Sequence, residues 1–402
     1  MRTLLELIRE IATNIHAHVI ADRRHLHAHP ELSFNEFETS AFVKKRLAEM
    51  CIPYQAVHNT GIVAIIQGAL KSDRVIALRA DMDALPITET NVSAFTSLNH
   101  GVMHACGHDA HTASLLGTAK ILNELKADFG GTVKLIFQPA EEKLPGGAIG
   151  MIKEGVLDDP RPTAVFGQHV MPTIPCGKIG ICKGKAMASM DELFVTVHGK
   201  GGHGAEPHKN IDPVLIASHI IVALQQVVSR NIDPIVPSLL SFGRVIADGA
   251  INIIPDKVCM EGTFRTFDEE WRIAAHEKMQ RIAIGMAESM GGSCDFTIVK
   301  GYPHLINRET LADRTRICLE EYVGKENVME VDPWMAAEDF AYYSQVIDSC
   351  FYLLGTRCEK KGITASLHSS TFTIDEDALL IGSGLMAYIA VRQLDNGQHA
   401  FD

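Results

Sequence analysis

Short apolar runs alternate with segments of helical spacing through the first half of the chain, and this alternation is the strongest constraint on the fold. Each run has four to six residues, which is too short for a helix and typical of a buried strand. The runs are residues 62–66, 75–78, 132–137 and 164–167, with helical segments at 113–125 and 148–155. Strands that alternate with helices form βαβ units. The sequence therefore predicts an α/β fold with a mixed, largely parallel sheet.

Acids and imidazoles follow three of these strands at the points where the strands end. Asp81 and Asp83 come after the second run, Glu141 and Glu142 after the third, and His169 after the fourth. In open α/β sheets, ligands collect at the carboxyl ends of the strands. One such group alone is typical of a solvated loop, but three groups at three strand ends indicate a single functional site.

The densest group of metal-binding side chains lies within eight positions, just before the helical segment at residue 113. It consists of His104, Cys106, His108, Asp109 and His111. Thiolate, neutral imidazole and carboxylate are the groups that bind a borderline divalent metal such as zinc. We predict that this stretch supplies part of a metal centre and that later residues complete it.

Cys106 also allows a different mechanism. A cysteine ahead of a helix, with histidines on both sides, resembles a thiolate nucleophile activated by imidazole and the helix dipole. Such a site has no use for Glu142, His169 and His368 together, whereas metal ligation uses all three. Adjacent residues point different ways, so one carboxylate of the Glu141–Glu142 pair can bind metal while the other acts as the base that takes a proton from water.

Five further histidines lie along the first predicted helix, residues 4–28, and just beyond it: His16, His18, His25, His27 and His29. No cysteine or acid joins them at ligand spacing, so we interpret them as surface or capping histidines and leave them outside the site. A second helix is predicted over 33–50, with Ser33 and Glu36 as its capping box.

The pattern changes from about residue 186. Strands are predicted at 192–198, 238–245, 257–267 and 294–299, with helices at 213–228 and 269–290. This β-α-β-β-α-β order is the ferredoxin-like arrangement. We predict that residues 186–300 form an inserted α+β domain, and that residues 1–185 and 301–402 together form the α/β domain with the metal site.

Composition disfavours several classes of partner. The net charge of −12 argues against binding to a nucleic-acid backbone. No stretch approaches the ~20 apolar residues that span a bilayer. The nine cysteines are scattered, odd in number and without a C-x-x-C pair, which is typical of reduced thiols. We expect a cytoplasmic protein with no membrane or nucleic-acid partner.

Three motifs in order carry a family resemblance: RADMDALP at 79–86, HACGHDAH at 104–111 and QPAEE at 138–142. They resemble the motifs of bacterial and plant N-acyl-amino-acid amidohydrolases, a branch of the aminoacylase and carboxypeptidase G metallopeptidases. This branch includes hippurate hydrolase, the indole-acetyl-amino-acid hydrolases and N-acetyl-diaminopimelate deacetylase. The resemblance extends over almost the whole chain, from residue 24 to residue 376.

The resemblance implies a site with two divalent metal ions. The matching ligands are Cys106, His108, Glu142, His169 and His368, and the matching general base is Glu141. Relative to the wider family, Arg79 replaces a histidine ligand, so Asp81 is expected to support a ligand rather than bind metal. Zinc suits the thiolate best, and manganese or cobalt also suits the other ligands.

The inserted domain carries the remaining family residues and resembles a lid and dimerisation domain. His203 matches a histidine that reaches the active site of a partner subunit and polarises the scissile carbonyl, which implies a homodimer. Asn252 and Arg265 match the groups that hold the substrate carboxylate, a task that suits the guanidinium fork.

The predicted function is hydrolysis of the amide bond of N-acyl-L-amino acids by metal-activated water, with Glu141 as general base. A metallo-carboxypeptidase or dipeptidase that acts on small peptides is the alternative with the same chemistry. A non-catalytic binding protein on the same scaffold is the alternative from another class.

Overall fold

The computed structural model describes residues 2–395, and within them the chain divides into two compact units. The first unit runs to Gly184 and resumes over Ile306–Asp332 and from Asp339 onwards. The second unit consists of Lys185–Leu305 and Pro333–Glu338, so it is inserted in the sequence of the first. Residues 396–402, which the sequence assigns to the α/β domain, lie outside the described residues.

Helices and strands alternate through the first 181 residues. The elements are α1 Leu4–Ala28, α2 Phe37–Glu49, β1 Tyr54–Val57, β2 Gly61–Gln67, β3 Leu70–Asp81, α3 His108–Glu124, β4 Gly130–Gln138, α4 Gly147–Lys153, β5 Ala164–Pro175 and β6 Ile179–Ile181. A capping box of Thr3 and Glu6 starts α1. The first turn of α3 begins at His108, five residues earlier than predicted, so this residue is held by a helix terminus.

The predicted capping box of α2 is wrong. This helix begins at Phe37, and neither predicted side chain caps it. Ser33 donates instead to Asp83 Oδ2 at 2.6 Å, and the Glu36 carboxylate accepts a hydrogen bond from the Ala140 amide at 2.9 Å. Both side chains therefore hold loops of the first unit together, because their partners become neighbours only in the folded chain.

The second unit is built on a four-stranded antiparallel sheet. The chain from residue 184 to residue 307, which includes this unit, contains β7 Gly184–Met187, β8 Asp191–His198, β9 Gly202–His203, α5 Pro213–Arg230, β10 Ser238–Ile246, β11 Ile253–Ile254, β12 Lys257–Thr266, α6 Glu269–Ser289, β13 Ser293–Lys300 and β14 Leu305–Asn307. The sheet order is β10-β12-β8-β13. β8 buries alternate residues in a core shared with α5 and α6. The predicted ferredoxin-like arrangement is confirmed.

The helix α5 is the most apolar helix of the second unit. Over its 18 residues the mean hydropathy is 1.3, and one third of them are buried. Within residues 2–395 it alone is long and apolar enough to cross a membrane, a test that core helices also pass.

The remaining elements complete the first unit: α7 Glu309–Val323, β15 Val328–Glu330, α8 Ala341–Ser344, β16 Asp348–Arg357 and α9 Ala378–Leu394. Its eight-stranded sheet has the order β1-β2-β4-β3-β5-β16-β6-β15. The four central strands, from β4 to β16, are parallel, and antiparallel pairs flank them. The predicted mixed, largely parallel sheet is confirmed. The carboxyl ends of β3, β4 and β5 therefore share one edge of this sheet.

Candidate metal centre

Predicted site residues lie at the carboxyl ends of the central strands. Asp81 ends β3 and pairs in register with Gln138, which ends β4. Glu141 and Glu142 follow in the next loop. His169 lies within β5 rather than after it, because the pairing of β5 with β16 continues well beyond residue 167. The predicted end of that strand is therefore wrong.

Six predicted side chains lie together at this edge: Cys106, His108, Glu141, Glu142, His169 and His368. Cys106 Sγ lies 3.4 Å from His169 Nε2, and His368 Nε2 lies 3.3 Å from Glu142 Oε1. His108 Nε2 lies 3.9 Å from Glu142 Oε1 and 4.0 Å from Glu141 Oε2. Four distant parts of the sequence thus contribute potential metal ligands to one cluster.

The hydrogen bonds of this cluster leave metal-binding lone pairs without partners. His169 Nδ1 donates to the Val170 carbonyl at 2.6 Å, so its Nε2 faces Cys106 as an acceptor. His108 Nδ1 donates to Asp83 Oδ1 at 3.2 Å, and its buried Nε2 makes no hydrogen bond. The approach of His368 to Glu142 Oε1 forms no hydrogen bond either. Buried polar atoms rarely stay unpaired, so these residues fit a divalent metal.

The electrostatics of the site separate metal ligation from nucleophilic catalysis. Burial raises the pKa of the Cys106 thiol well above its ordinary value, and the charge of Glu142 raises it further. A nucleophilic cysteine needs surroundings that lower the pKa of its thiol. A divalent cation would reverse the effect and stabilise the thiolate. Burial lowers the pKa of His108, but Asp81 and Asp83 overcome this and raise it to about 10, so a metal bound at Nε2 would take the place of a proton there.

Two histidines near the cluster are unsuited to metal binding for different reasons. Both ring nitrogens of His111 are engaged, since Nδ1 bonds to Asp81 Oδ1 at 2.6 Å and Nε2 accepts from the Val170 amide at 2.8 Å. His104 is buried, and neither of its nitrogens has a hydrogen-bond partner in the described chain. Burial lowers the pKa of His104 to about 4, but this imidazole belongs to no group of three potential ligands in the described chain whose donor atoms lie close enough to hold one ion.

Two buried acids for which the sequence predicted no individual role, Asp83 and Asp339, support the site. Asp83 accepts hydrogen bonds from the backbone amides of both Glu141 and Glu142, each at 3.0 Å. The Asp339 amide lies 3.4 Å from Glu141 Oε1, and the Asp339 carboxylate is bonded to Arg79 and Gln138. The position of Asp83, just after the end of β3, indicated that it lies near the site. Nothing in the sequence links Asp339 to Gln138 and Glu141, about 200 residues earlier.

The interpretation of His27 as a surface or capping histidine is wrong. Its ring is buried, Nδ1 bonds to Asp109 Oδ2 at 2.7 Å, and Nε2 bonds to Glu89 at 3.2 Å. Arg23 donates to the same Asp109 oxygen at 2.8 Å. This network holds Asp109, the residue next to His108. Arg23 and His27 reach it because both lie on the buried face of α1. His18, His25 and His29 are exposed.

The other predicted site residues belong to the second unit. His203 is exposed in β9, and its Nδ1 accepts a hydrogen bond from the Ala205 amide at 3.0 Å. Asn252 is exposed, and its carbonyl accepts from the Gly204 amide at 2.8 Å. Arg265 is half-buried in β12 and donates to the Met335 carbonyl at 2.9 Å, and no carboxylate of the described chain pairs with it.

The parallel sheet, the strand-end site and the cysteine–histidine–carboxylate set are together typical of metal-dependent hydrolases. The chain belongs to peptidase family M20/M25/M40, whose family model matches residues 77–392. The family resemblance inferred from the motifs is therefore confirmed.

Relatives and solved structures in this family match most of the chain. It is 42% identical over 383 residues to N-acetylcysteine deacetylase of Bacillus subtilis (strain 168), with 94% of this chain and 98% of that protein covered. It is 45% identical over 303 residues to N-acyl-L-amino acid amidohydrolase of Geobacillus stearothermophilus, with 75% and 81% covered. The crystal structure of Bacillus subtilis YXEP, a dinuclear metal binding peptidase from the M20 family, matches with a TM-score of 0.81 at 38% identity, with 95% and 99% covered.

Proposed function

We propose that the protein is a metal-dependent amidohydrolase that cleaves the amide bond of N-acyl-L-amino acids. The observation that carries the proposal is the cluster of a buried thiol, imidazoles and a carboxylate, with unpartnered lone pairs, beside Glu141. The deacetylase and the amidohydrolase described above are named for substrates of this class, which supports the same substrate class here.

Five residues would hold two divalent ions: Cys106, His108, Glu142, His169 and His368. The thiolate among these donors favours zinc, although manganese and cobalt also accept carboxylate and imidazole. Ions bound there supply Lewis acidity and lower the pKa of water. The dinuclear metal binding described for the YXEP structure supports this stoichiometry.

Glu141 moves the proton in the proposed reaction. Its side chain is buried, with Oε1 3.4 Å from the Asp339 amide and Oε2 4.0 Å from His108 Nε2. A carboxylate held in this way accepts the proton of the attacking water and then delivers it to the leaving amine. Asp81 supports the site by fixing His111.

The second unit contributes substrate-binding groups. His203 Nδ1 is an acceptor, so the neutral ring carries its proton on Nε2, where it donates to the carbonyl of a substrate bound by the partner subunit. Arg265 has no acidic partner in the described chain and, with Asn252, holds the substrate carboxylate.

The protein acts as a homodimer in the cytoplasm in this proposal. The helix α5 exposes Val214, Leu215 and Val222, the last to 74%, and the strand β10 exposes Val245. Such apolar residues are typical of subunit interfaces. All nine cysteines are unpaired, which supports a reducing compartment. Light scattering after gel filtration should give twice the chain mass; the mass of a single chain would contradict the dimer.

Metal content and hydrolysis, measured on the same preparation, test the proposal. The substrates are N-acetyl and N-benzoyl amino acids and dipeptides, each with its C-terminal amide as the matched control. We expect two ions per chain, loss of hydrolysis on chelation, recovery with zinc or manganese, and poor turnover of the amides. Thiol alkylation of the metal-loaded protein should have little effect.

Two results would contradict this proposal. Hydrolysis of dipeptides alone would favour the carboxypeptidase or dipeptidase alternative. A protein that binds no metal and hydrolyses nothing after loading would favour the non-catalytic alternative.

A further inference from the structure

Asp83 is a buried acid whose two oxygens are both fully engaged. It is 1% exposed. Oδ1 accepts hydrogen bonds from His108 Nδ1 at 3.2 Å and from the Glu141 amide at 3.0 Å. Oδ2 accepts from the Glu142 amide at 3.0 Å and from Ser33 Oγ at 2.6 Å. Four donors thus converge on one carboxylate.

These four donors come from three separate parts of the first unit. His108 starts α3, the two glutamates lie in the loop after β4, and Ser33 precedes α2. The residue before Glu141 is Ala140, which has φ = 50°. This left-handed backbone is unfavourable for a residue other than glycine and persists only where neighbouring contacts hold it. The two backbone amides that donate hydrogen bonds to Asp83 belong to the residues directly after Ala140.

We propose that Asp83 is the positioning residue that joins the His108 ligand to the loop of Glu141 and Glu142, and so sets the spacing of the metal centre. The inference rests on the proposed metal site. Asp83 touches neither the metal nor the substrate in this role. It orients the His108 ring so that Nε2 faces the cluster, and it fixes the backbone from which Glu142 and Glu141 project.

The chemistry of the four donors makes asparagine an informative replacement. An asparagine has the same shape, but its NH₂ group cannot accept the hydrogen bonds that one carboxylate oxygen receives. With the NH₂ group towards His108 and the Glu141 amide, both of those bonds are lost. With the NH₂ group towards Glu142 and Ser33, the bond from the Glu142 amide is lost, and the Ser33 hydroxyl can turn to accept. Asp83→Asn therefore loses the hydrogen bond from the Glu141 or the Glu142 amide in either orientation, and so loosens the loop at the site without removing a metal ligand.

Asp191 of the second unit offers a matched control. It is also fully buried, and it also accepts four hydrogen bonds, from Arg272 (two), His276 and the Gly301 amide. Asp191→Asn removes comparable bonds from a network that contains no proposed metal ligand, so it measures the effect of a buried Asp→Asn change alone.

The experiment titrates the intact wild-type protein and both variants with Co²⁺ in competition with a chromophoric chelator, and records the visible Co²⁺ spectrum. We expect Asp83→Asn to weaken Co²⁺ binding about 10- to 100-fold and to change the spectrum, because partners of ligating histidines have effects of this size. Asp191→Asn should lower the melting temperature but keep the wild-type affinity and spectrum.

Unchanged affinity and spectrum in folded Asp83→Asn, beside a wild type that binds two ions, would overturn the inference and leave the proposed function intact. A wild type that binds no ion would contradict the proposed function itself. If Asp83→Asn does not fold, Ser33→Ala decides, since it removes one donor and keeps the charge. We then expect a smaller loss of about threefold in affinity, the size that one neutral hydrogen bond contributes, and no loss would overturn the inference.

Discussion

The two units each contain a buried aspartate with four hydrogen bonds, but the networks end differently. Around Asp191, the donors include the guanidinium of Arg272, and every guanidinium nitrogen of this arginine has an acceptor. Around Asp83, the donors include His108, whose other ring nitrogen is buried without a hydrogen bond. A network whose members are all paired stabilises its fold, whereas one that ends in unpartnered lone pairs prepares a binding site.

The contrast extends to charge. Asp191 and Glu269 face Arg272, Lys300 and two histidines, so the second network is close to balanced. The first network gathers carboxylates around its imidazoles and thiol. A surplus of buried negative charge is unfavourable unless a cation joins it. Substitutions in the first network should therefore change metal binding and turnover, and those in the second should change stability.

Glu141→Gln should have the largest effect. The amide keeps the size of the side chain but cannot accept a proton, so kcat should fall by about 10²- to 10⁴-fold. The metal content should stay at the wild-type value, because Glu141 is not among the proposed ligands. Turnover within a few-fold of wild type would rule out the role of Glu141 as general base.

Arg272→Met should have the next largest effect, on stability rather than on metal. Arg272 is fully buried, and its removal leaves Asp191 without two of its four donors. Breaking a buried ion pair in this way costs about 3–5 kcal/mol in the free energy of unfolding. Denaturant unfolding measures the change, and metal content serves as the control. A variant that keeps its stability but loses metal would reverse the contrast between the two networks.

Local patterns predicted the fold well because they report burial. The continuous apolar runs of β2 and β4 and the alternation along β8 depend on which faces are covered, and the sequence carries that information directly. The gathering of site residues at one sheet edge followed from the parallel arrangement of strands. The extension of β5 past His169 did not, because it depends on pairing with a strand almost 200 residues away.

The hydrogen-bond partners of polar side chains could not be predicted from the sequence. His27 meets Asp109 across 82 residues, and Ser33 meets Asp83 across 50. Each of these side chains has a local alternative, as a surface histidine or a helix cap, that fits the sequence equally well. The folded chain alone determines which partner is present. The metal-binding motif of Cys106 and His108 was recognisable because its donors are close in sequence.

Glu269→Gln should have the smallest effect, and that effect should depend on pH. Burial alone would raise the pKa of Glu269, but hydrogen bonds from His304 and the charge of Arg272 lower it from its ordinary 4.5 to about 2. A lowered pKa in the folded state gives stability that is present above pH 4.5 and is lost as the pH falls towards 2. The melting temperature of wild type should exceed that of the variant at pH 7, and the gap should narrow between pH 4.5 and pH 3. A gap that stays constant over this range would mean that the ionised carboxylate does not contribute, and that Glu269, unlike Asp191, lies outside the balanced network.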